Sequence, residues 1–194
     1  MKIYIMHELK EGPWGGANQF LKALRAVWRI EGCYAESPQQ ADAIMLSGFP
    51  FRNVHFFRDA LNYKKKNNAR IIYRLDGLFY RNREREDDRY LDDLCAYYVN
   101  HFADGVIYQG EWVRQIQQSF GVDSTKPMLT CLNAPDPEVF TPAPIAREKG
   151  PIKLVATSWS TTARKGFTYY QYLDRHLDFS KYQLTFIGNS PVSF

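Results

Sequence analysis

The sequence predicts an α/β fold built on a doubly wound parallel sheet. Short apolar runs of strand length alternate with amphipathic runs of helix length through most of the chain. This alternation is typical of helices packed on both faces of a parallel sheet. With 194 residues, of which 45% are hydrophobic, the chain is also long enough to bury one substantial core.

The elements alternate in a regular order. The strand runs are KIYIM, ADAIMLSG, RIIYRLDG, DGVIYQG and PMLTCLN. The helix runs between them are ANQFLKALRAVWRIEG, FFRDALNYKKKNNA, the stretch from Arg89 to Phe102 and the stretch from Glu111 to Phe120. In the first helix, Phe20, Leu21, Leu24 and Val27 are expected to form an apolar stripe against the sheet, and Gly32 to end the helix.

A proline-rich segment, residues 133–151, separates this pattern from a shorter one. We predict an N-terminal domain over residues 1–145, and a linker with the start of a second domain over residues 146–194. The second domain is predicted from the strand run IKLVATS, the helix run GFTYYQYLDRHL and the strand run YQLTFIGN. A lone βαβ unit leaves a sheet edge open, so we expect this domain to be incomplete and its edge to dock on the first domain or recruit a second copy.

Composition excludes several classes of protein. The net charge of +4 is mild and the basic residues are dispersed, which argues against nucleic acid as a partner. No apolar run is long enough to span a membrane or to serve as a signal peptide, so we expect a cytoplasmic protein, with attachment to a membrane surface left open. The three cysteines lack paired spacing and the four histidines lack metal-ligand spacing, so neither disulfides nor a metal site is expected.

The first loop, GPWGGANQF, joins the first strand to the first helix. Glycines at such a position let backbone N–H groups and a helix N-terminus approach a polar or anionic ligand. Gly15 and Gly16 are therefore candidates for binding phosphate. The loop lacks the G-x-G-x-x-G spacing and the P-loop ending, and a tight turn without a ligand explains it as well.

Four further stretches of the sequence belong together by their order along the chain. They are GGANQFLKAL, ADGVIYQGEWVRQIQQSFG, NAPDPEVFTP and LVATSWSTTARKGF. In this order they resemble segments of the family-four retaining glycosyltransferases with a GT-B fold. NAPDPEVFTP resembles the signature N-G-V-D-x-x-x-F-x-P of that family, with Ala134 and Pro135 in place of the usual Gly and Val. The resemblance implies two Rossmann-like domains, the first on the acceptor side and the second binding the nucleotide.

The resemblance further implies transfer of a sugar from a nucleotide-sugar donor to a glycan or other acceptor with retention, without a metal or other cofactor. The leaving diphosphate needs cations and backbone dipoles, so Gly15, Gly16, Arg164 and Lys165 are its predicted ligands. Solvated loop charges are the alternative for Arg164 and Lys165. The family often has an arginine six residues before the lysine, where this chain has Trp159.

The end of the third strand run, IIYRLDG, is the predicted acceptor side. Many family members carry T-x-H-G or T-x-H-D there, whereas this chain carries Leu75, Asp76 and Gly77. Asp76 is the sole catalytic candidate, and a turn or helix cap is its alternative reading. The predicted acceptor-binding residues are Asn18, Arg74, Asp76 and Tyr80, where Tyr80 could stack on a sugar or belong to the core.

Two functional hypotheses follow, a glycosyltransferase and a non-catalytic carbohydrate- or partner-binding module derived from the same fold. The family's glutamate pair, E-x7-E, does not occur in the second domain before Phe194. We therefore expect the 194-residue chain alone to fold but not to transfer sugar. The donor sugar, the nucleotide base, the acceptor and the oligomeric state are not readable from the sequence.

Overall fold

The computed structural model describes residues 1–12, 15–48, 54–80, 86–134, 141 and 150–193. The chain divides into two compact units, Met1–Phe140 and Thr141–Phe194. The predicted boundary between residues 145 and 146 lies outside the described residues, as do Pro135 and the rest of the family signature up to residue 140. Each unit is therefore described by itself.

The first unit is a five-stranded parallel sheet with helices, which confirms the predicted α/β class. Its strands follow one another across the sheet in chain order. The strands are β1 (Ile3–Ile5), β2 (Ala43–Ser47), β3 (Arg70–Leu75), β4 (Gly105–Tyr108) and β5 (Met128–Thr130). The helices are α1 (Gly16–Ile30), α2 (Val54–Asn67), α3 (Glu86–Phe102) and α4 (Glu111–Ser119).

The direction of winding reverses at β1. After α1 the chain returns to the outer side of β1, where Tyr34 forms a parallel bridge with Ile3. The Ile3 N–H donates to the Cys33 carbonyl at 2.8 Å, and the Ala35 N–H donates to the Ile3 carbonyl at 2.9 Å. The chain then crosses to the other side of β1 as β2. Such a reversal makes a crevice at the carboxyl ends of β1 and β2, and open α/β sheets bind their ligands at such a crevice.

Helices cover both faces of the sheet. On one face Leu21 of α1 packs with Ile5 and Met45. On the other face Phe57 of α2 and Val99 of α3 pack with a cluster that comprises, from β2, β3 and β4, Ile44, Leu46, Ile71, Tyr73, Val106 and Tyr108. Because β2 is buried on both faces, its sequence is an uninterrupted apolar run rather than an alternating one.

The first helix differs from its prediction in one position. Leu21 is fully buried, and Phe20 and Leu24 pack beside it as expected. Val27 is 49% exposed, however, and Trp28 packs against the sheet instead, because residue i+4 from Leu24 lies on the same helix face. The helix ends at Ile30, and Gly32 follows with a φ of 68°.

The second unit is one βαβ motif. It consists of β6 (Ile152–Ser158), a 3₁₀ turn (Ala163–Lys165), α5 (Phe167–His176) and β7 (Tyr182–Gly188), and the two strands pair in parallel. The buried ring of Phe167 packs with Tyr170 and Phe186 on one side of the strand pair. Every second residue of β6 and β7 points to the opposite side of the strand pair, and these side chains are exposed. That this unit is incomplete remains a prediction.

Candidate functional site

Polar side chains line the carboxyl edge of the sheet on the face that α1 covers. On each of the first four strands, an apolar residue on this face is followed two positions later by a polar one, and residues two apart in a strand share a face. The four pairs are Ile5 and His7, Met45 and Ser47, Ile72 and Arg74, and Ile107 and Gln109. The register places His7, Ser47 and Arg74 side by side in one row, and it places Gln109 two positions further along, level with Asp76.

Arg74 is the centre of this row, and its side chain is fully buried. Its Nη1 donates to Asp76 Oδ1 at 2.6 Å and to Ser47 Oγ at 3.3 Å. The guanidinium carbon also lies 4.5 Å from the centroid of the Phe20 ring, which adds a cation–π contact from α1. A buried cation needs both a counter-ion and hydrogen-bond acceptors, and Arg74 has both.

The other terminal nitrogen of Arg74, Nη2, contacts side chains that follow β4 and β5. Nη2 donates to Asn133 Oδ1 at 2.9 Å and lies 3.4 Å from Gln109 Oε1. Asn133 Nδ2 in turn donates to Gln109 Oε1 at 3.1 Å. The first residue of the family-like signature is therefore tied to the end of β3, from which it is separated by 59 positions in the sequence.

Asp76 is fixed at its side chain and at its backbone. Besides the ion pair with Arg74, its carbonyl accepts a hydrogen bond from Gln117 Nε2 at 2.7 Å. The side chain is still 31% exposed, and Oδ2 is turned towards Gly48, where it lies 3.4 Å from the position a Cβ would take. Asp76 thus presents an oriented, partly exposed carboxylate at the carboxyl edge of the sheet.

Asp92, rather than Asp76, caps the turn that follows β3. The N–H groups of Phe79 and Tyr80 donate to Asp92 Oδ1 and Oδ2, each at 2.9 Å, and Asp92 is only 2% exposed. This favours a site role for Asp76 over the alternative reading as a helix cap. Tyr80 itself is half-buried, and its contact with an acceptor remains a prediction.

The glycine-rich loop leads directly into α1. Gly15 has a φ of 35°, a conformation that favours glycine, so a tight turn is sufficient to explain that residue. Gly16 is different, because its φ is not positive and a Cβ there would meet no atom within 4 Å among the described residues. Packing within the described protein therefore does not explain a glycine at position 16.

Asn18 holds this loop closed. Its Oδ1 accepts the Lys10 N–H at 2.8 Å, and its Nδ2 donates to the Lys10 carbonyl at 2.9 Å. The side chain is 7% exposed. Binding of an acceptor by Asn18 remains a prediction, and the observed role of the residue is to fix the start of the crevice wall.

His7 belongs to this row, although the sequence analysis did not include it among the predicted site residues. The imidazole is half-buried, and burial is the main reason why its pKa is lower than the usual 6.5. Asp76 and Glu8 raise the pKa, while Arg74 and Lys10 lower it further. A polar residue two positions after the last inward apolar residue of a strand is a signal that sequence reasoning could have used.

Arg164 and Lys165 lie in the second unit, in the 3₁₀ turn after β6. Both are exposed, and the turn is closed by the Lys165 N–H, which donates to the Thr162 carbonyl at 2.9 Å. Gly166 follows with a φ of 80° and precedes the first residue of α5. The two pairs of predicted donor ligands, Gly15 with Gly16 and Arg164 with Lys165, therefore belong to different units.

Models of protein families, the curated proteins and the solved structures were compared with the chain. None of them matches it. The resemblance to glycosyltransferases therefore rests on the four sequence segments. Within the described part of the chain, no three His, Cys, Asp or Glu side chains are grouped as they would be around a metal ion. Nor does any described helix have the length and apolar character needed to cross a membrane.

Proposed function

We propose that the chain belongs to a retaining GT-B glycosyltransferase and binds a nucleotide sugar and a hydroxylated acceptor. The observation that carries this proposal is the oriented, partly exposed carboxylate of Asp76 at the crevice of a doubly wound sheet. Carboxylates accept hydrogen bonds from hydroxyl groups, and the fixed position of Asp76 reduces the ordering cost of binding. The proposed acceptor is accordingly a glycan or another polyol.

The donor diphosphate has two proposed sets of ligands. The first N–H groups of α1 have no partners within the helix, and the open space at Gly16 leaves room for a phosphate to approach them. In the second unit, the exposed cations of Arg164 and Lys165 follow the carboxyl end of β6. A leaving diphosphate is stabilised by such cations and backbone dipoles, without a metal ion.

Nucleotide binding by the 194-residue chain tests the proposal without requiring turnover. Isothermal titration calorimetry with UDP, GDP, ADP and their glucose conjugates should identify one nucleotide that binds. Lys165→Ala should weaken that binding by about tenfold to a hundredfold, because a hydrogen bond to a charged group contributes about 1.5 to 3 kcal/mol. Arg175→Ala removes an exposed cation at the other end of α5 and should leave the affinity unchanged.

Gly16→Ala separates a ligand role from a turn role. The added methyl group meets no atom of the described residues within 4 Å, so the melting temperature should stay the same while nucleotide affinity falls. Equal affinity in Gly16→Ala and wild type would remove Gly16 from the site, and equal affinity in Lys165→Ala would remove Lys165.

If the chain binds glycans but no nucleotide, it is a carbohydrate-binding module and the enzyme proposal is wrong. The proposed cytoplasmic location agrees with the use of nucleotide sugars.

A further inference from the structure

His7 and Asp76 lie on opposite sides of the carboxyl end of β2. The Met6 N–H donates to the Met45 carbonyl at 2.9 Å, so the pairing of β1 with β2 continues one residue beyond Ile5. Continuing the register places His7 next to Ser47. Asp76 approaches the same place from β3, because its Oδ1 shares Arg74 Nη1 with Ser47 Oγ and its Oδ2 is turned towards Gly48.

The imidazole of His7 stands among charges of both signs. The charged groups that act on it are Asp76, Glu8, Arg74 and Lys10. Burial outweighs the two carboxylates, so the pKa of His7 is lowered and the ring is neutral at pH 7. A neutral imidazole has one nitrogen that accepts a hydrogen bond, whereas an imidazolium has none.

We propose that His7 accepts a hydrogen bond from a ligand hydroxyl that neighbours, on the same sugar, the hydroxyl that donates to Asp76 in the crevice. This inference rests on the proposed function, since it assumes a polyol as the ligand. His7 is then a second ligand-binding residue. Arg74, which is fully buried, acts only through Asp76 as a positioning residue.

The arrangement couples sugar binding to proton binding. A proton on His7 replaces the acceptor lone pair with a donor, so the sugar hydroxyl that donates to the neutral ring loses its acceptor. Affinity should therefore be full above the pKa of His7, which lies below 6.5, and should fall as the pH falls through it. By linkage, the bound sugar must lower the pKa of His7. The shift equals the logarithm of the ratio between the sugar affinities of neutral and protonated His7.

Histidine NMR titration of the chain tests this coupling. Only four histidines are present, and His7→Gln assigns the Cε1–H signal of His7. The probes are methyl α-D-glucopyranoside and methyl α-D-mannopyranoside, titrated at several pH values between about 5 and 8. The pKa of His7 should fall when either probe saturates the site, and the affinity at low pH should fall about threefold to tenfold, the worth of one neutral hydrogen bond.

Two variants complete the test. His7→Gln should bind the probe more weakly at high pH and lose the pH dependence, while His55→Gln, which alters an exposed residue of α2, should behave as wild type. If a probe binds but neither shifts the His7 titration nor loses affinity at low pH, the inference is wrong and the acceptor site at Asp76 stands. If nucleotides bind and neither probe does, the inference is overturned and the donor site stands. If nothing binds, both proposals fail.

Discussion

The guanidinium of Arg74 is buried because four side chains together replace its water. Asp76 supplies the counter-charge, and the side-chain oxygens of Ser47, Gln109 and Asn133 accept hydrogen bonds from Nη1 and Nη2, while Nε has no hydrogen-bond partner among the described residues. These acceptors come from β2 and from the residues that follow β4 and β5, so the network joins neighbouring strands at their carboxyl ends. Asp76 therefore keeps one orientation in the crevice.

Removing the charge of either partner of this ion pair should destabilise the first unit. The loss in unfolding free energy should differ between the two partners. Arg74→Met leaves a carboxylate that is 31% exposed and can recover water, and should cost about 3 kcal/mol of unfolding free energy. Asp76→Asn leaves a fully buried cation without its counter-ion and should cost more. Urea unfolding of both single variants and of the double variant measures these differences.

The double variant should lose less stability than the sum of the two single variants, because it leaves no unpaired charge behind. Glu36→Gln, which breaks the exposed pair with Arg29, is the matched control and should change stability far less. Additive costs in the cycle, or a cost for Asp76→Asn no larger than that of the control, would contradict the role given to Arg74 and Asp76.

Strand β7 ends at Gly188, where its backbone lies very close to the backbone of β6. A Cβ on Gly188 would lie 2.0 Å from the Ser158 carbonyl oxygen of β6, and the φ of Gly188 is 125°. That oxygen also accepts the Asn189 N–H at 2.8 Å, so it cannot move away without losing a hydrogen bond. Only glycine satisfies both conditions.

Gly188→Ala should therefore separate the ends of β6 and β7. We expect a loss of about 3 kcal/mol or more in the second unit, from overpacking and backbone strain together. Hydrogen exchange followed by mass spectrometry should show faster exchange in peptides from both strands, with the first unit unchanged. Gly16→Ala, where the added methyl group meets open space, is the control. Unchanged protection of β6 in Gly188→Ala would contradict the argument.

Across the chain, the two units differ in how completely their sheets are covered. Strand β2 is buried at every residue, whereas β6 and β7 alternate between half-buried and exposed positions. Exposed backbone hydrogen bonds open more readily than buried ones. Amides of β6 and β7 in the wild-type chain should thus exchange before those of β2, β3 and β4.

Native-state exchange at neutral pH resolves this difference. Peptides covering Ile71 and Val106, which are buried in the first unit, should be protected longest. Equal protection of Leu184 in β7 and Ile71 in β3 would show that the second unit is covered as well as the first. It would also contradict the expectation that the second domain is incomplete.

Much of the fold follows from local patterns in the sequence. The alternation of strand and helix runs predicts the α/β class, and each predicted run in the first 134 residues that lies within the described structure corresponds to an observed element. Apolar periodicity predicted the buried face of α1 through Leu24, and erred at Val27 because Trp28 also reaches the sheet. These patterns are readable because they repeat within a few residues.

The composition of the site was decided by contacts between distant segments. The sequence singled out Arg74 and Asp76 but could not show that Asn133 and Gln109 hold Arg74, since 59 positions separate Arg74 from Asn133. It likewise could not place His7 beside Asp76, because that depends on which strands become neighbours when the winding reverses at β1. Strand order and burial are collective properties of the folded chain, and they turned a scattered set of polar residues into one row at the crevice.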